Sequence, residues 1–126
     1  MITGAGRGIG LATARAFASA GWRVVSLDKE FGSDVVGERL DFDLRRSADI
    51  RAMVADLGEL DTLVNNAAVL YCDPLDEIPD QHRREILAVN LEAPAALIAA
   101  VAPGMKSRRE GRTRQRKFRG GFHWAS

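Results

Sequence analysis

The sequence has 126 residues, of which 46% are hydrophobic, with 18 Lys and Arg against 17 Asp and Glu. This composition suits one compact domain, although the length is short for a complete doubly wound α/β enzyme. One cysteine and two histidines exclude a disulfide framework and predict no metal-ligand cluster. No apolar run approaches the ~20 residues that span a bilayer, and the N-terminus lacks the pattern of a signal peptide. We therefore expect a cytoplasmic protein that spans no membrane.

The first element is a glycine-rich turn, with four glycines in the stretch 4–10, that follows the strand end Met1–Thr3. Glycine adopts positive φ without strain and lets a phosphate approach the backbone closely. A helical pattern runs from Gly8 to about Ala20 and ends at Gly21, so its N-terminus would offer N–H groups and a positive dipole end. These features predict a nucleotide pyrophosphate at the turn. The spacing departs from the strict G-x-G-x-x-G fingerprint, so an ordinary strand-to-helix connection stays the alternative.

A second strand is predicted over Trp22–Asp28, where the apolar run suits a strand that is covered on both faces. Its last residue, Asp28, lies twenty positions after Gly8. This is the spacing and the strand end at which a carboxylate holds a ribose hydroxyl in dinucleotide-binding domains. The alternative interpretation of Asp28 is a cap for a turn or a helix.

The remaining elements alternate between strand and helix. The apolar patterns predict a strand over Arg39–Phe42, a helix over Ser47–Leu57, a strand over Leu60–Val64 and a long helix from about Asp80 to Val101. Asn90 lies in the middle of the apolar stripe of the last helix. A buried asparagine without a partner costs about 1–3 kcal/mol, which favours a specific role over a solvated position. Pro94 predicts a kink or a break in the same helix.

Three motifs in register resemble the short-chain dehydrogenase/reductase family. They are Thr3-Gly4-x-x-x-Gly8-Ile9-Gly10, then Asn65-Asn66-Ala67-Ala68, then Asn90, in the family's order and at its approximate spacing. The resemblance covers roughly Met1 to Arg109, and Ala68 stands where the family usually has glycine. It implies a Rossmann-like doubly wound parallel sheet, here incomplete, with the strand order 3-2-1-4. It also implies hydride transfer between a nicotinamide cofactor, NAD or NADP, and a small alcohol or carbonyl substrate.

The resemblance assigns roles to individual residues. The implied cofactor-binding set is Gly4, Ala5, Arg7, Gly8, Ile9, Gly10, Asp28, Asp43, Leu44, Asn65, Asn66 and Ala67. Within it, Asp43 and Leu44 would contact the adenine, although Asp43 could instead cap the following helix. Asp28 favours NAD and disfavours NADP, because a 2′-phosphate would meet a like charge, whereas Arg7 in this family can help to hold that phosphate. Asn90 is the one catalytic residue implied, bonding a backbone carbonyl and a water of the proton relay.

The match stops before the family's other catalytic residues. There the family has an apolar fifth strand that ends in serine and then a helix with Tyr-x-x-x-Lys, whereas this chain has the charged stretch Thr113–Arg119. The single tyrosine, Tyr71, is followed four positions later by Leu75 instead of lysine. We therefore divide the chain into an N-terminal part of a dinucleotide-binding domain, 1–105, and a basic, disordered tail, 106–126. We interpret the residues from about Thr113 as a frameshift or truncation product, and the chain as a catalytically incomplete nucleotide-binding fragment whose fourth strand is an exposed edge.

The tail suggests a second class of function. Residues 106–119 carry eight basic side chains, with aromatic residues near them, and would hold nucleic acid through phosphates and stacking. A run of charges is more often a solvated tail, so we favour the oxidoreductase family and disfavour nucleic acid as a partner. The expected partner is the small-molecule substrate. A homo-oligomer stays open, because the family's dimer and tetramer surfaces lie largely beyond the resemblance.

Overall fold

The computed structural model describes residues 1–74 and 76–115, which form an alternating α/β domain. Each predicted helix and strand is present, although the second strand begins at Val25 and not at Trp22. The elements are β1 (Ile2–Thr3), α1 (Gly8–Ser19), β2 (Val25–Asp28), β3 (Glu38–Asp41), α2 (Ile50–Leu57, after a 3₁₀ turn Ser47–Asp49), β4 (Thr62–Asn65), α3 (Asp80–Leu87), a π-helical turn (Ala88–Glu92), α4 (Ala93–Arg108) and β5 (Arg112–Gln115).

All strands run parallel, in the order β3-β2-β1-β4-β5. β1 lies at the centre, where Ile2 faces Ser26 of β2 on one side and Val64 of β4 on the other. The chain moves from β1 out to β3 and then returns to β4 on the other side of β1. The carboxyl ends of β1 and β4 therefore meet at a switch point, which is where ligands bind in open α/β sheets. The doubly wound parallel sheet predicted from the sequence is confirmed.

Apolar side chains cover both faces of the sheet. On one face, α2 and α4 pack on the strands, and Ile50, Leu63 and Leu97 are completely buried there. On the other face, Ala14 of α1 packs with Ile2 and Val24. The small side chain of Ala14 lets α1 approach the sheet closely. This packing holds the glycine turn that precedes α1 over the carboxyl end of β1.

A fifth strand extends the sheet, although the sequence predicts β4 as an exposed edge. Arg112–Gln115 pair in parallel with Thr62–Asn65, and the Arg112 N–H donates to the carbonyl of Asp61 at 2.9 Å. The prediction of an exposed β4 edge is therefore wrong. Strand pairing uses backbone groups, and an edge strand tolerates charged side chains that stay in solvent. The side chains of residues 112–114 are exposed, so this strand is not a buried one.

The helix before β5 runs through the predicted domain boundary at 105. α4 continues to Arg108. The next residue, Arg109, caps the helix and has a left-handed backbone with φ of 56°. The described part of the chain thus includes the first basic residues of the predicted tail. Residues 116–126, on which much of the tail hypothesis rests, lie outside the described residues.

The helical segment Asp80–Arg108 is 29 residues long and, by length and composition alone, is apolar enough to cross a membrane. The prediction from the sequence is that the chain spans no membrane. In the fold, Leu97 and Val101 pack this helix against the sheet. Core helices of globular domains meet the same criterion of length and composition. The feature is therefore weak evidence for a membrane span.

The π-helical turn Ala88–Glu92 interrupts this segment, and Pro94 follows it at the start of α4. Proline has no N–H to donate to the carbonyl four residues earlier, here that of Asn90, so regular α-helical bonding cannot pass this point. The predicted break near Pro94 is confirmed. Single π turns often lie at functional sites, and this one carries Asn90.

Candidate functional site

The glycine turn is fixed to the end of β2 by two backbone donors. The Ala5 N–H donates to the carbonyl of Leu27 at 3.2 Å, and the Gly6 N–H donates to Oδ2 of Asp28 at 2.9 Å. A Cβ at Gly6 would lie 2.2 Å from the carbonyl oxygen of Glu30, so only glycine fits there. The turn is thus a rigid part of the sheet edge and not a free loop.

Helix α1 begins directly after this turn without a side-chain cap. Arg7 is the residue before the helix, and neither its side chain nor an acidic residue of the first turn occupies the helix N-terminus. Gly8 has φ of 53° and open space around the position of a Cβ. The N–H groups of the first turn and the positive end of the helix dipole therefore face an open region, which is the chemistry of a phosphate site.

Asp28 lies at the carboxyl end of β2, where it both accepts backbone hydrogen bonds and lines the cleft. Its Oδ2 holds the Gly6 amide, while its Oδ1 accepts the backbone N–H of Lys29 at 2.8 Å and of Glu30 at 3.3 Å. It therefore does cap a turn, as the alternative interpretation proposes. It also lines the cleft, and Oδ2, which accepts one bond from the described residues, can accept a further bond from a hydroxyl group.

Asp43 follows β3 and is paired with Arg45, two residues later. Its carboxylate accepts bonds from the Arg45 backbone N–H at 3.0 Å and from the guanidinium Nε at 2.8 Å. The side chain makes no capping bond to the turn Ser47–Asp49 or to α2. Asp43 therefore closes its own loop and does not cap the following helix. The guanidinium bond holds the pKa of the Asp43 carboxyl below its usual value.

The Asp43–Arg45 pair gives a prediction on acid stability. Because the folded-state pKa of Asp43 lies below the unfolded value of about 3.9, its stabilising contribution is fully present above that value and is lost as pH falls through the folded-state pKa. We expect Asp43→Asn to lower the free energy of unfolding near neutral pH by less than about 1 kcal/mol, since the pair is partly exposed. Urea unfolding near pH 7 and near pH 3 should show that the difference from the unchanged chain becomes smaller in acid. A difference of the same size at both pH values would show that charge is not its cause.

Thr3 ties the end of β1 to the segment after β4. Its Oγ1 accepts the backbone N–H groups of Asn66 and Ala67, both at 3.0 Å. The Asn66 side-chain Nδ2 donates in return to the carbonyls of Thr3 at 3.0 Å and Gly4 at 3.2 Å. Asn66 therefore braces the glycine turn from the other side of the switch point.

Asn65 behaves differently from its neighbour. It lies in β4 with 2% of its surface exposed, and neither atom of its side-chain amide has a hydrogen-bond partner within residues 1–74 and 76–115. It does not line the cleft. Adjacent residues of a strand point to opposite faces, which separates Asn65 from Asn66.

Asn90 binds the segment that follows Ala68. Its Nδ2 donates to the carbonyl of Val69 at 2.8 Å, and its Oδ1 accepts the N–H of the same residue at 2.9 Å. The side chain thus replaces the backbone partners that Val69 would have in a strand. Asn90 fixes the chain where it leaves β4, which keeps Val69 at the wall of the cleft.

One cleft collects most of the predicted cofactor residues at the carboxyl ends of β1, β2 and β4. Those that line it are Gly4, Arg7, Ile9, Gly10, Asp28, Asp43, Leu44, Asn66 and Ala67, whereas Ala5, Gly8, Asn65 and Asn90 do not. The cleft is also lined by three charged residues that belong to none of the sequence motifs: Lys29, Arg45 and Glu85. The sequence does hint at Arg45 as a site residue, since it stands two positions after Asp43. It gives no such hint for Glu85, because a glutamate on a polar helix face is common.

The single tyrosine, Tyr71, is not suited to donate a proton in catalysis. The hydroxyl of Tyr71 donates to Oε2 of Glu85 at 2.5 Å, and this bond raises the pKa of Tyr71. A proton donor in catalysis needs a pKa near the working pH, so the shift has the wrong sign. Within the described ranges, no three His, Cys, Asp or Glu side chains gather to hold a metal ion.

Known sequences match this chain over nearly all of its length. A family model described as short chain dehydrogenase matches residues 1–113. Galactitol 2-dehydrogenase of Agrobacterium fabrum is 33% identical over 123 residues, which cover 88% of this chain and 48% of that protein. L-fucose dehydrogenase of Oryctolagus cuniculus is 36% identical over 121 residues, which cover 86% of this chain and 43% of that protein. This chain therefore spans about half the length of the relatives it matches.

Solved structures agree with the fold. A 4-hydroxyisoleucine dehydrogenase complexed with NADH has a TM-score of 0.84 at 27% identity, covering 91% of this chain and 53% of that one. A metagenomic short-chain oxidoreductase in complex with NADP has a TM-score of 0.82 at 33% identity, covering 90% of this chain and 59% of that one. One of these neighbours is thus complexed with NADP and the other with NADH. The family resemblance that the three sequence motifs indicate is confirmed: the chain belongs to the short-chain dehydrogenase family of oxidoreductases.

Proposed function

We propose that this chain is the nucleotide-binding part of an NAD-dependent short-chain oxidoreductase. In the proposed reaction, a hydride passes between the nicotinamide of the cofactor and a small alcohol or carbonyl substrate. The observation that carries the proposal is a single cleft that joins the uncapped N-terminus of α1 to Asp28 and Asp43. A pyrophosphate needs the first of these, and the ribose and adenine need hydrogen-bond acceptors at the ends of the neighbouring strands.

The residues present fit such a dinucleotide. Gly8 leaves open space over the helix N-terminus, so a phosphate can approach the backbone. The side-chain Oδ1 of Asn66 is buried without a partner among the described residues, and Asn66 lines the cleft. We assign the pyrophosphate to the turn Gly4–Gly10, the ribose hydroxyls to Asp28 and the adenine to Asp43 and Leu44.

Asp28 supports NAD over NADP. Its carboxylate holds the Gly6 amide and therefore cannot turn out of the cleft without releasing the glycine turn. A 2′-phosphate would be placed beside this fixed negative charge. Arg7 and Lys29 line the same cleft and would offset part of the repulsion. We therefore propose a preference for NAD and not a complete exclusion of NADP.

Asn90 is assigned to positioning in this proposal, because it holds both backbone groups of Val69. When bound, NAD supplies the hydride acceptor. The 126 residues contain no Tyr-x-x-x-Lys, so we assign the proton transfer to no residue of this chain. We propose that it binds the cofactor without turning over substrate. A cytoplasmic location and a homo-oligomer stay predictions from the sequence.

Replacement of Asp28 tests the proposal. Asp28→Asn keeps one acceptor oxygen but removes the charge, and hydrogen bonds to charged groups contribute about 1.5–3 kcal/mol. We expect NADH to bind about tenfold more weakly and the ratio of NADH to NADPH affinity to fall. Fluorescence titrations with NADH and with NADPH measure the two affinities.

The matched control is Asp34→Asn. Asp34 lies in the next loop and pairs with Arg15 in solvent, so its loss should leave both affinities unchanged. Equal effects of the two variants would contradict the role of Asp28. If the unchanged chain bound neither ADP nor NADH, the proposed function itself would be wrong.

A further inference from the structure

A carboxylate that the motif analysis did not identify joins three separate segments around the cleft. Glu85 of α3 accepts the Tyr71 hydroxyl at 2.5 Å and the Arg45 Nη1 at 3.4 Å. Its third donor, the Gln81 Nε2 at 3.3 Å, belongs to its own helix. The Glu85 side chain is 17% exposed and lines the cleft. It therefore connects α3 both to the loop after β3 and to the segment after β4.

The link toward β3 leads to the adenine end of the proposed site. Arg45 binds Glu85 with one guanidinium nitrogen and Asp43 with the others. Asp43 and Asp28 lie at the ends of β3 and β2, which form one half of the sheet. In doubly wound folds the two halves of a dinucleotide lie on the two sides of the switch point. Glu85 is thus tied to the loop that would receive the adenine.

The link toward β4 leads to the other side of the switch point. Tyr71 donates to Glu85 and stacks on His82, with ring centroids 3.7 Å apart and planes within 7°. His82 in turn bonds Oδ2 of Asp73 through Nδ1 at 2.8 Å. Together with the clasp of Asn90 on Val69, these contacts bind the segment 69–73 to α3 and its π turn.

The contacts of Glu85 with Arg45 and Tyr71 differ from an ordinary surface ion pair, because they join separate segments of the chain. The Arg45 side chain is 47% exposed and its distance to Glu85 is long, so the pair adds little to global stability. The bond from Tyr71 lowers the pKa of Glu85 and raises that of Tyr71. Both groups therefore keep their roles, acceptor and donor, across the neutral range. The contacts fix the relative position of two loops that face one cleft.

We propose that Glu85 is a positioning residue that, through Tyr71, holds the segment 69–73 in place for the nicotinamide-ribose half of a dinucleotide. Val69 forms the wall of the cleft beside Ala67 and Ala68, on the β4 side of the switch point. The inference rests on the proposed function in one respect, that the ligand is a dinucleotide. It adds a residue that acts, through Tyr71, on the nicotinamide-ribose half of that ligand.

Two variants cut the connection at one point each. Tyr71→Phe removes the bond to Glu85 but keeps the ring that stacks on His82. Glu85→Gln keeps an acceptor for the Tyr71 hydroxyl and loses the charge that faces Arg45, so it should retain most of the NADH affinity that Tyr71→Phe loses. The control is Gln81→Ala, which removes a partner of Glu85 that lies on the same helix and joins no second segment.

The first measurement is the affinity for NADH and for AMP. We expect the unchanged chain to bind NADH more tightly than AMP, and Tyr71→Phe to weaken NADH by about fivefold, because the competent position of the segment is less populated. AMP affinity should stay the same in Tyr71→Phe and in Gln81→Ala. The second measurement is amide hydrogen exchange in the free protein, where Tyr71→Phe should speed exchange in residues 69–73 and not in β2.

The outcomes separate this inference from the proposed function. If the unchanged chain binds AMP and NADH equally, or if Tyr71→Phe weakens both or neither, the role of Glu85 is wrong while adenosine binding stands. If Gln81→Ala changes amide hydrogen exchange and NADH affinity as much as Tyr71→Phe does, any change in α3 has this effect, and the inference also fails. If neither nucleotide binds, both the inference and the proposed function fail.

Discussion

The Gly10→Ala variant will lose much of its free energy of unfolding together with its nucleotide binding. A Cβ at Gly10 would lie 1.9 Å from the carbonyl oxygen of Gly4 and 2.6 Å from Nδ2 of Asn66. The Gly4 carbonyl is part of the backbone of the turn, and Asn66 Nδ2 donates a hydrogen bond to it. Neither atom can therefore move without opening the turn. Overpacking of this kind typically costs about 1–3 kcal/mol, occasionally more, and we expect a loss of about 3 kcal/mol.

Urea unfolding followed by circular dichroism measures the effect, with Gly32→Ala as the control. A Cβ at Gly32 would meet nothing within 4 Å, so the change there should stay within about 0.5 kcal/mol. Equal stabilities of the two variants would show that helix α1 does not approach the β1 turn as closely as the structure has it. Weaker NADH binding with unchanged stability would instead place the methyl group against the ligand.

The architecture could be predicted because its signals are local. The turn needs glycine, the apolar run of β2 ends at Asp28, and Asn90 interrupts an apolar helix stripe. Each of these is visible within a few residues. Their order along the chain then fixes the sheet, since parallel strands joined by helices allow few topologies. Pro94 likewise signalled the break that the π turn provides.

The fifth strand could not be predicted from side-chain patterns. Its register against β4 depends on backbone groups alone, and the residues 112–114 carry two arginines that point to solvent. Hydrophobic periodicity detects buried strands and says little about a solvated edge. The expectation of an exposed β4 failed for this reason.

The contacts of the cleft depend on pairs far apart in the sequence. Tyr71 and Glu85 are 14 positions apart, and Arg45 and Glu85 are 40 apart. No motif records such a pair in a single sequence. The adjacent Asn65 and Asn66 show the same limit at short range: a pair of asparagines indicates a site, but only the strand register assigns Asn66 to the cleft and Asn65 to the interior.

Thr3→Val should destabilise the chain strongly, although it hardly changes the shape of the side chain. The Thr3 hydroxyl is the acceptor for the backbone N–H groups of Asn66 and Ala67, and Thr3 is 1% exposed. A valine would leave both donors without an acceptor in a buried place. Because each unsatisfied group costs about 1–3 kcal/mol, we expect a loss of about 2–4 kcal/mol in urea unfolding.

Thr3→Ser isolates the hydroxyl, because serine keeps the acceptor and loses only a methyl group, worth about 0.8 kcal/mol. The gap between the two variants therefore measures the bonds to Asn66 and Ala67. Since Asn66 also holds the carbonyl of Gly4, NADH affinity should fall with stability in the valine variant and stay near normal in the serine variant. If valine and serine proved equally stable, the hydroxyl would not join β1 to β4, and the cleft would have to be braced from elsewhere.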